Sequence, residues 1–233
     1  MEVKLVSKTK ISDSYLQSLM SSCTEEDKEF IKNIQGPEAL MAYIARVSSP
    51  TNQKNSSYAG LLKYCMKHGH FSVFEQVSAT FEITTSRAIS AQILRHRSFV
   101  FQEFSQRYSK VDMGIEMYEA RSQDLKNRQN SNDDMSDEDK QWFKEAQEKV
   151  SQVCNTLYSE ALDRNIAKEQ SRFLLPLNTK TRLFMTGNIR NWVHYINLRS
   201  SNGSQKEHCD IANKMKEIMI KEFPIVSEAM EWK

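Results

Sequence analysis

The sequence predicts a mixed α+β fold: a single domain with a central, largely antiparallel sheet flanked by helices. Three observations predict it. The run "VSATFEIT", Val77 to Thr84, puts Val77, Ala79, Phe81 and Ile83 on one face of a strand. Runs with helical spacing outnumber the strands and do not alternate with them as a regular βαβ series would. The chain is 233 residues long, which is ample for a sizeable core and makes one domain over 1–233 the default.

Each element has a local reason. "EVKLV", from Glu2, alternates and predicts an N-terminal strand. "PEALMAYIARV", from Pro37, predicts a helix whose first turn tolerates proline, because that N–H would have no partner anyway. "SSYAGLLKYCMKHG", Ser56 to Gly69, predicts a second helix, and Gly69 suits the left-handed residue that follows a helix end. "TSRAISAQILRHR", Thr85 to Arg97, reads as a helix with Ile89 and Ile93 on one face and Gln92 and Arg95 on another. "SQDLKNRQNSNDDMSDEDK", Ser122 to Lys140, is nearly devoid of apolar residues and predicts a solvated loop. Within it Ser136 and Asp139 resemble a capping box, opening a long helix that carries Trp142, Phe143, Val150, Val153, Leu157 and Leu162. "TRLFMTGN", from Thr181, predicts a strand, and "IRNWVHYINLRS", from Ile189, a helix with Trp192 and Tyr195 in core or interface. A last helix runs from about Asp210 to Glu222. Arg46 and Ser48 read as scaffold, and His70 as a helix-end or packing residue.

Composition narrows the function. Lys and Arg total 32 against 30 Asp and Glu, so nothing general favours nucleic acid or an anionic membrane, and an anion site must be local. Four scattered cysteines and a start without a signal-peptide core predict a reducing, cytoplasmic setting. No run approaches the eighteen or so apolar residues of a membrane span. The six glycines form no phosphate-binding loop. His68 and His70 lack partners at ligand spacing, so no metal is expected, and Ser105 lies outside any nucleophile-elbow context.

The informative stretch is "RHRSFVFQEFSQRY", Arg95 to Tyr108. Three readings compete: a solvated arginine cluster beside core aromatics, a nucleic-acid platform, and a pocket for a phosphorylated ring. A nucleic-acid face needs a wider basic surface, and the loop that follows is acidic. Arg95 and Arg97, two apart, either diverge on a helix or mark the turn that ends it. Glu103, Ser105 and Arg107 have strand spacing, with Phe99, Phe101 and Tyr108 filling apolar space.

Arg95-His96-Arg97 followed by seven residues and Ser105 resembles the signature of flavin-dependent thymidylate synthases. The resemblance extends, in order, through "ARVS" at Ala45, "YCMKHGHFSVFE" at Tyr64, "SQRYS" at Ser105, "SRFLLPLNTKTRLFMTGNIR" at Ser171 and "INLR" at Ile196. It implies reductive methylation of dUMP to dTMP, with FAD as redox cofactor, methylenetetrahydrofolate as carbon donor and NADPH as reductant. It implies a homotetramer with the flavin site between subunits. Flavin contacts would be Ser72, Arg95, His96, Arg97, Glu103, Asn188, Ile189, Arg190 and His194. Substrate contacts would be Gln92, Ile93, Leu94, Arg95, Glu103, Phe104, Ser105, Gln106, Arg107, Arg172 and Arg199. Arg199 would be the catalytic residue, stabilising negative charge on the pyrimidine without a covalent nucleophile. The alternative is a non-catalytic module that binds nucleotides or single-stranded nucleic acid by charge and stacking.

Overall fold

The computed structural model describes residues 1–201 and 203–232. The elements, in order, are β1 (Glu2–Lys8), α1 (Asp13–Ser21), α2 (Lys28–Asn33), α3 (Pro37–Ala45), α4 (Ala59–Lys67), β2 (Ser78–Ser86), α5 (Arg87–Ile93) and β3 (Val100–Glu103). They continue with β4 (Ser122–Gln123), β5 (Ser131–Asn132), α6 (Asp137–Asp163), α7 (Lys168–Ser171), β6 (Lys180–Asn188), α8 (Ile189–Arg199), α9 (Lys206–Glu222) and α10 (Pro224–Ala229).

The main sheet has the order β1-β2-β6-β3. Backbone bonds from Thr9 N to Ser78 O, from Ile189 N to Val77 O and from Arg87 N to Thr179 O join the end of one strand to the start of its neighbour. That is the antiparallel arrangement the sequence predicts. Val77, Ala79, Phe81 and Ile83 are all fully buried, so the period-two pattern does point one face of β2 into the core.

Two compact units divide the chain. One comprises Lys4–Phe81, Thr186–Asn197 and Ala212–Lys233. Here Trp192 is fully buried, lies edge-on to Phe81 with centroids 4.7 Å apart, and donates its indole N–H to the carbonyls of Ala79 and Gly187. Burying both the ring and its one polar atom with partners makes Trp192 an anchor for α8. Gly69 has φ +72°. His70 N reaches Cys65 O and Gly69 N reaches Met66 O, the paired bonds that close a helix on a left-handed glycine. Arg46 is scaffold: its guanidinium holds the carbonyls of Asn55 and Ser57.

The other unit comprises Met1–Val3, Glu82–Met185 and Leu198–Ile211. Ser136 caps α6 by accepting from Asp139 N. Only Tyr158 and Ala161 of this 27-residue helix are buried. Trp142, Val150, Val153 and Leu157, the apolar stripe of the sequence pattern, are exposed. The solvated loop is more ordered than its composition predicts. β4 and β5 pair antiparallel, Ser122 opposite Asn132, and the Asp124 carboxylate gathers Lys126 N, Asn127 N and Asn130 Nδ2. A polar turn can be built from such side-chain bonds with no apolar signal at all.

Candidate active site

Helix α5 sets the geometry. Ser86 caps its start by accepting from Ile89 N, and buried Ile89 and Ile93 fix its inner face. After Leu94 the chain leaves the helix in successive turns, Arg95 N to Gln92 O, His96 N to Ile93 O and Phe99 N to His96 O. Arg95, His96 and Arg97 therefore sit on the turn that ends the helix. β3 stops at Glu103, and Tyr108 N and Ser109 N both donate to Ser105 O. Ser105 and Arg107 thus belong to a tight turn rather than continuing a strand, and Tyr108, 83 % exposed, fills no apolar space.

A cavity of about 300 Å³ is lined by Gln92, Arg95, Gln129, Arg199, Ser204 and Gln205. Gln92 and Arg95, one helical turn apart, meet Arg199 in it from a distant part of the sequence. Arg199 Nε donates to His96 Nε2 at 2.9 Å. That bond requires a neutral His96 with its own hydrogen on Nδ1.

Behind the cavity runs a directed chain of hydrogen bonds. His208, fully buried, lies with Nδ1 3.4 Å from Gln92 Oε1. Gln92 Nε2 donates to Gln205 Oε1 at 2.6 Å, Gln205 Nε2 donates to Glu207 Oε2 at 2.8 Å, and Arg121 pairs with Glu207 Oε1. Because a carboxylate can only accept, the Glu207 end orients both amides, and the His208 ring must place its proton on Nδ1. Burial, with the charge of Arg199 adding to it, pushes the His208 pKa down to about 3. His208 is neutral wherever the protein is folded at ordinary pH.

Glu103 is already engaged. It accepts from Ser90 Oγ at 2.6 Å and Thr181 Oγ1 at 3.0 Å and pairs with Arg87 at 2.8 Å. A second cavity, about 330 Å³, brings together Gln106, Arg172 and Arg87. Gln106 is buried and its Nε2 has no partner. The substrate set implied by the resemblance is therefore divided between two cavities of one chain. Ile93 is core, while Leu94, Ser105 and Arg107 are exposed and Phe104 is half-buried, its N–H held by Arg182 O.

The remaining flavin candidates lie in the unit that contains Trp192. Arg190 is exposed, pairs with Glu75 and lies over the Phe71 ring at 5.6 Å, so it reaches the turn that carries exposed Ser72. Asn188 Oδ1 accepts from Asn191 N and caps α8, buried Ile189 packs the core, and His194 is exposed.

The family described as thymidylate synthase complementing protein matches residues 29–225. The chain belongs to that family. A probable flavin-dependent thymidylate synthase of Paramecium bursaria Chlorella virus 1 is 52 % identical over 206 residues, covering 88 % of this chain and 95 % of the relative. A flavin-dependent thymidylate synthase of Synechocystis is 55 % identical over 196 residues, 84 % of this chain and 90 % of the relative. The fold is shared with a UMP/dUMP methylase, PolB of Streptomyces cacaoi, solved with 5-Br dUMP. It superposes with a TM-score of 0.76 at 23 % identity over 99 % of this chain and 94 % of that one.

Sequence reading missed Gln129, Arg121, Gln205, Glu207 and His208. Gln129 sits in the polar loop dismissed as solvent-facing. The other four carried no motif, and only their meeting around Gln92 gives them meaning.

Proposed function

We infer that this chain is a flavin-dependent thymidylate synthase, methylating dUMP to dTMP with FAD as redox cofactor. The observation that carries the reading in the structure is Arg199, held by His96 in one cavity with Gln92 and Arg95. Arginine keeps its charge at any working pH and offers a fixed fork of donors, so it suits a planar pyrimidine edge on which negative charge develops. His96 fixes the guanidinium through Nε, leaving its terminal N–H groups for substrate. Gln92, its amide oriented from Glu207, can present one N–H and one oxygen lone pair.

The donor set also suits FAD. Arg95, Arg97 and Arg190 are exposed cations of the kind that hold a pyrophosphate where no glycine-rich loop exists. Bound FAD would supply the methylene and hydride transfer that no side chain provides. Methylenetetrahydrofolate is the carbon donor and NADPH the reductant in this reading. The protein acts as a homotetramer in the cytoplasm, with 1–233 as one catalytic domain. The division of the substrate residues between two cavities, and the uncovered apolar stripe of α6, support a site completed by neighbouring copies.

The test is direct. Purified protein is expected to be yellow, to bleach when NADPH is added anaerobically, and to form dTMP from dUMP and methylenetetrahydrofolate. Protein that stays colourless after incubation with FAD yet binds nucleotide would replace this reading with that of a binding module.

A further inference from the structure

The second cavity holds a residue that the resemblance does not assign. Gln106 and Arg172 were expected there as nucleotide contacts, whereas Arg87 was not. Arg87 opens α5, and its backbone N–H is fixed on Thr179 O at 2.9 Å. Its Nη1 lies 2.8 Å from Glu103 Oε2, while Oε1 of the same carboxylate is taken by Ser90 and Thr181. Glu103 therefore grips the guanidinium by one edge. The other guanidinium N–H groups have no side-chain or backbone acceptor among the described residues, and the side chain is 31 % exposed at the cavity wall.

Gln106 is an independent sign of a ligand. It is 7 % exposed, lines the same cavity, and leaves its Nε2 without a hydrogen bond. A buried donor without an acceptor is costly, and native structures rarely leave one unless something outside the chain satisfies it. The polar side chains lining this cavity are thus two guanidinium groups and an amide, beside apolar Phe173, Pro176 and Leu177. Two guanidinium groups call for a ligand rich in acceptor oxygens, and paired arginine forks suit a phosphate. Glu103 balances the charge of Arg87, and a guanidinium set between that carboxylate and a dianion would screen one from the other.

We propose that Arg87 is a phosphate-binding residue of this enzyme, holding the 5′-phosphate of the nucleotide together with Gln106 and Arg172. The proposal rests on the dUMP reading above. Its test compares dUMP with deoxyuridine, which differ only in the phosphate, by competitive binding to the flavin-loaded protein. Arg87→Ala is expected to lower the ratio of dUMP to deoxyuridine affinity at least tenfold, with deoxyuridine binding changed less than twofold. Its dUMP affinity should also depend less steeply on salt. A residue that merely pairs with Glu103 would weaken both ligands alike, and a ratio equal to that of the native protein overturns the proposal. Arg87→Gln keeps a donor for Glu103, and the same ratio decides the question in that variant should the alanine protein not fold. Native protein that binds dUMP no better than deoxyuridine would overturn this proposal and refute a phosphate role at the site. Tight dUMP binding with an unchanged ratio in the variants leaves the dUMP reading standing and removes Arg87 alone.

Discussion

Helices α6 and α8 carry similar apolar stripes and meet opposite fates. In α8, Trp192, Val193, Tyr195 and Ile196 are buried. In α6, Trp142 is 68 % and Val153 58 % exposed. Periodicity states that a helix has an apolar face, but not what covers it, because the cover comes from other parts of the fold or from another molecule. One stripe closes a core within the chain. The other remains available, which fits the copies invoked for the proposed assembly.

Trp192→Ala is the strongest way to break the comparison. Loss of a fully buried indole and its two carbonyl contacts should cost about 3–5 kcal/mol, read as a fall in the denaturation midpoint. A change below about 1 kcal/mol would show that α8 is not anchored as described.

Glu38 sharpens the comparison, since it shows what burial does to a charge rather than a ring. Its carboxylate accepts from Val226 N, and burial raises its pKa to about 7, with that hydrogen bond opposing the rise. The folded state then holds a proton between about pH 4.5 and 7 that the unfolded chain has released, so stability falls as pH rises through that window. Glu38→Gln removes this dependence and gains up to about 3 kcal/mol relative to the native chain at pH 8 against pH 5. Parallel stability curves for the two proteins from pH 5 to 8 would refute it.

Arg199→Lys tests what the anchored helix is for. Lysine keeps the charge at the helix end but not the fork, so dTMP formation at saturating dUMP should fall roughly a hundredfold, about 3 kcal/mol, with fold and flavin content retained. Near-native turnover would reduce Arg199 to a partner of the helix dipole.

The smallest effect on stability is expected on α6. Trp142→Glu with Val153→Glu should change the denaturation midpoint of the separated chain by under about 0.5 kcal/mol, while light scattering shows a smaller assembly. An unchanged assembly size would leave the stripe without its proposed role.

The same contrast explains what was legible in the sequence. β2, α8 and the turn after α5 follow from local rules: alternation, helical spacing, and two arginines that cannot share a helix face. The Arg95-His96-Arg97 signature pointed to the turn that carries Arg95 into the candidate cavity and His96 onto Arg199. Its surroundings were illegible because Gln205, Glu207 and His208 act only through Gln92, more than a hundred residues away in sequence. The ordered turn around Asp124 was missed for another reason, since it is held by polar bonds that leave no trace in hydropathy.

His208 offers a spectroscopic handle. Its Nδ1 proton is shut away from water and aimed at Gln92, so it exchanges with solvent only when the start of α9 opens. Such a proton gives a separate, slowly exchanging resonance downfield of the amide envelope. A ligand that takes hold of Gln92 changes the acceptor seen by that proton, and the line should move as the cleft fills, reporting occupancy without a label or a turnover.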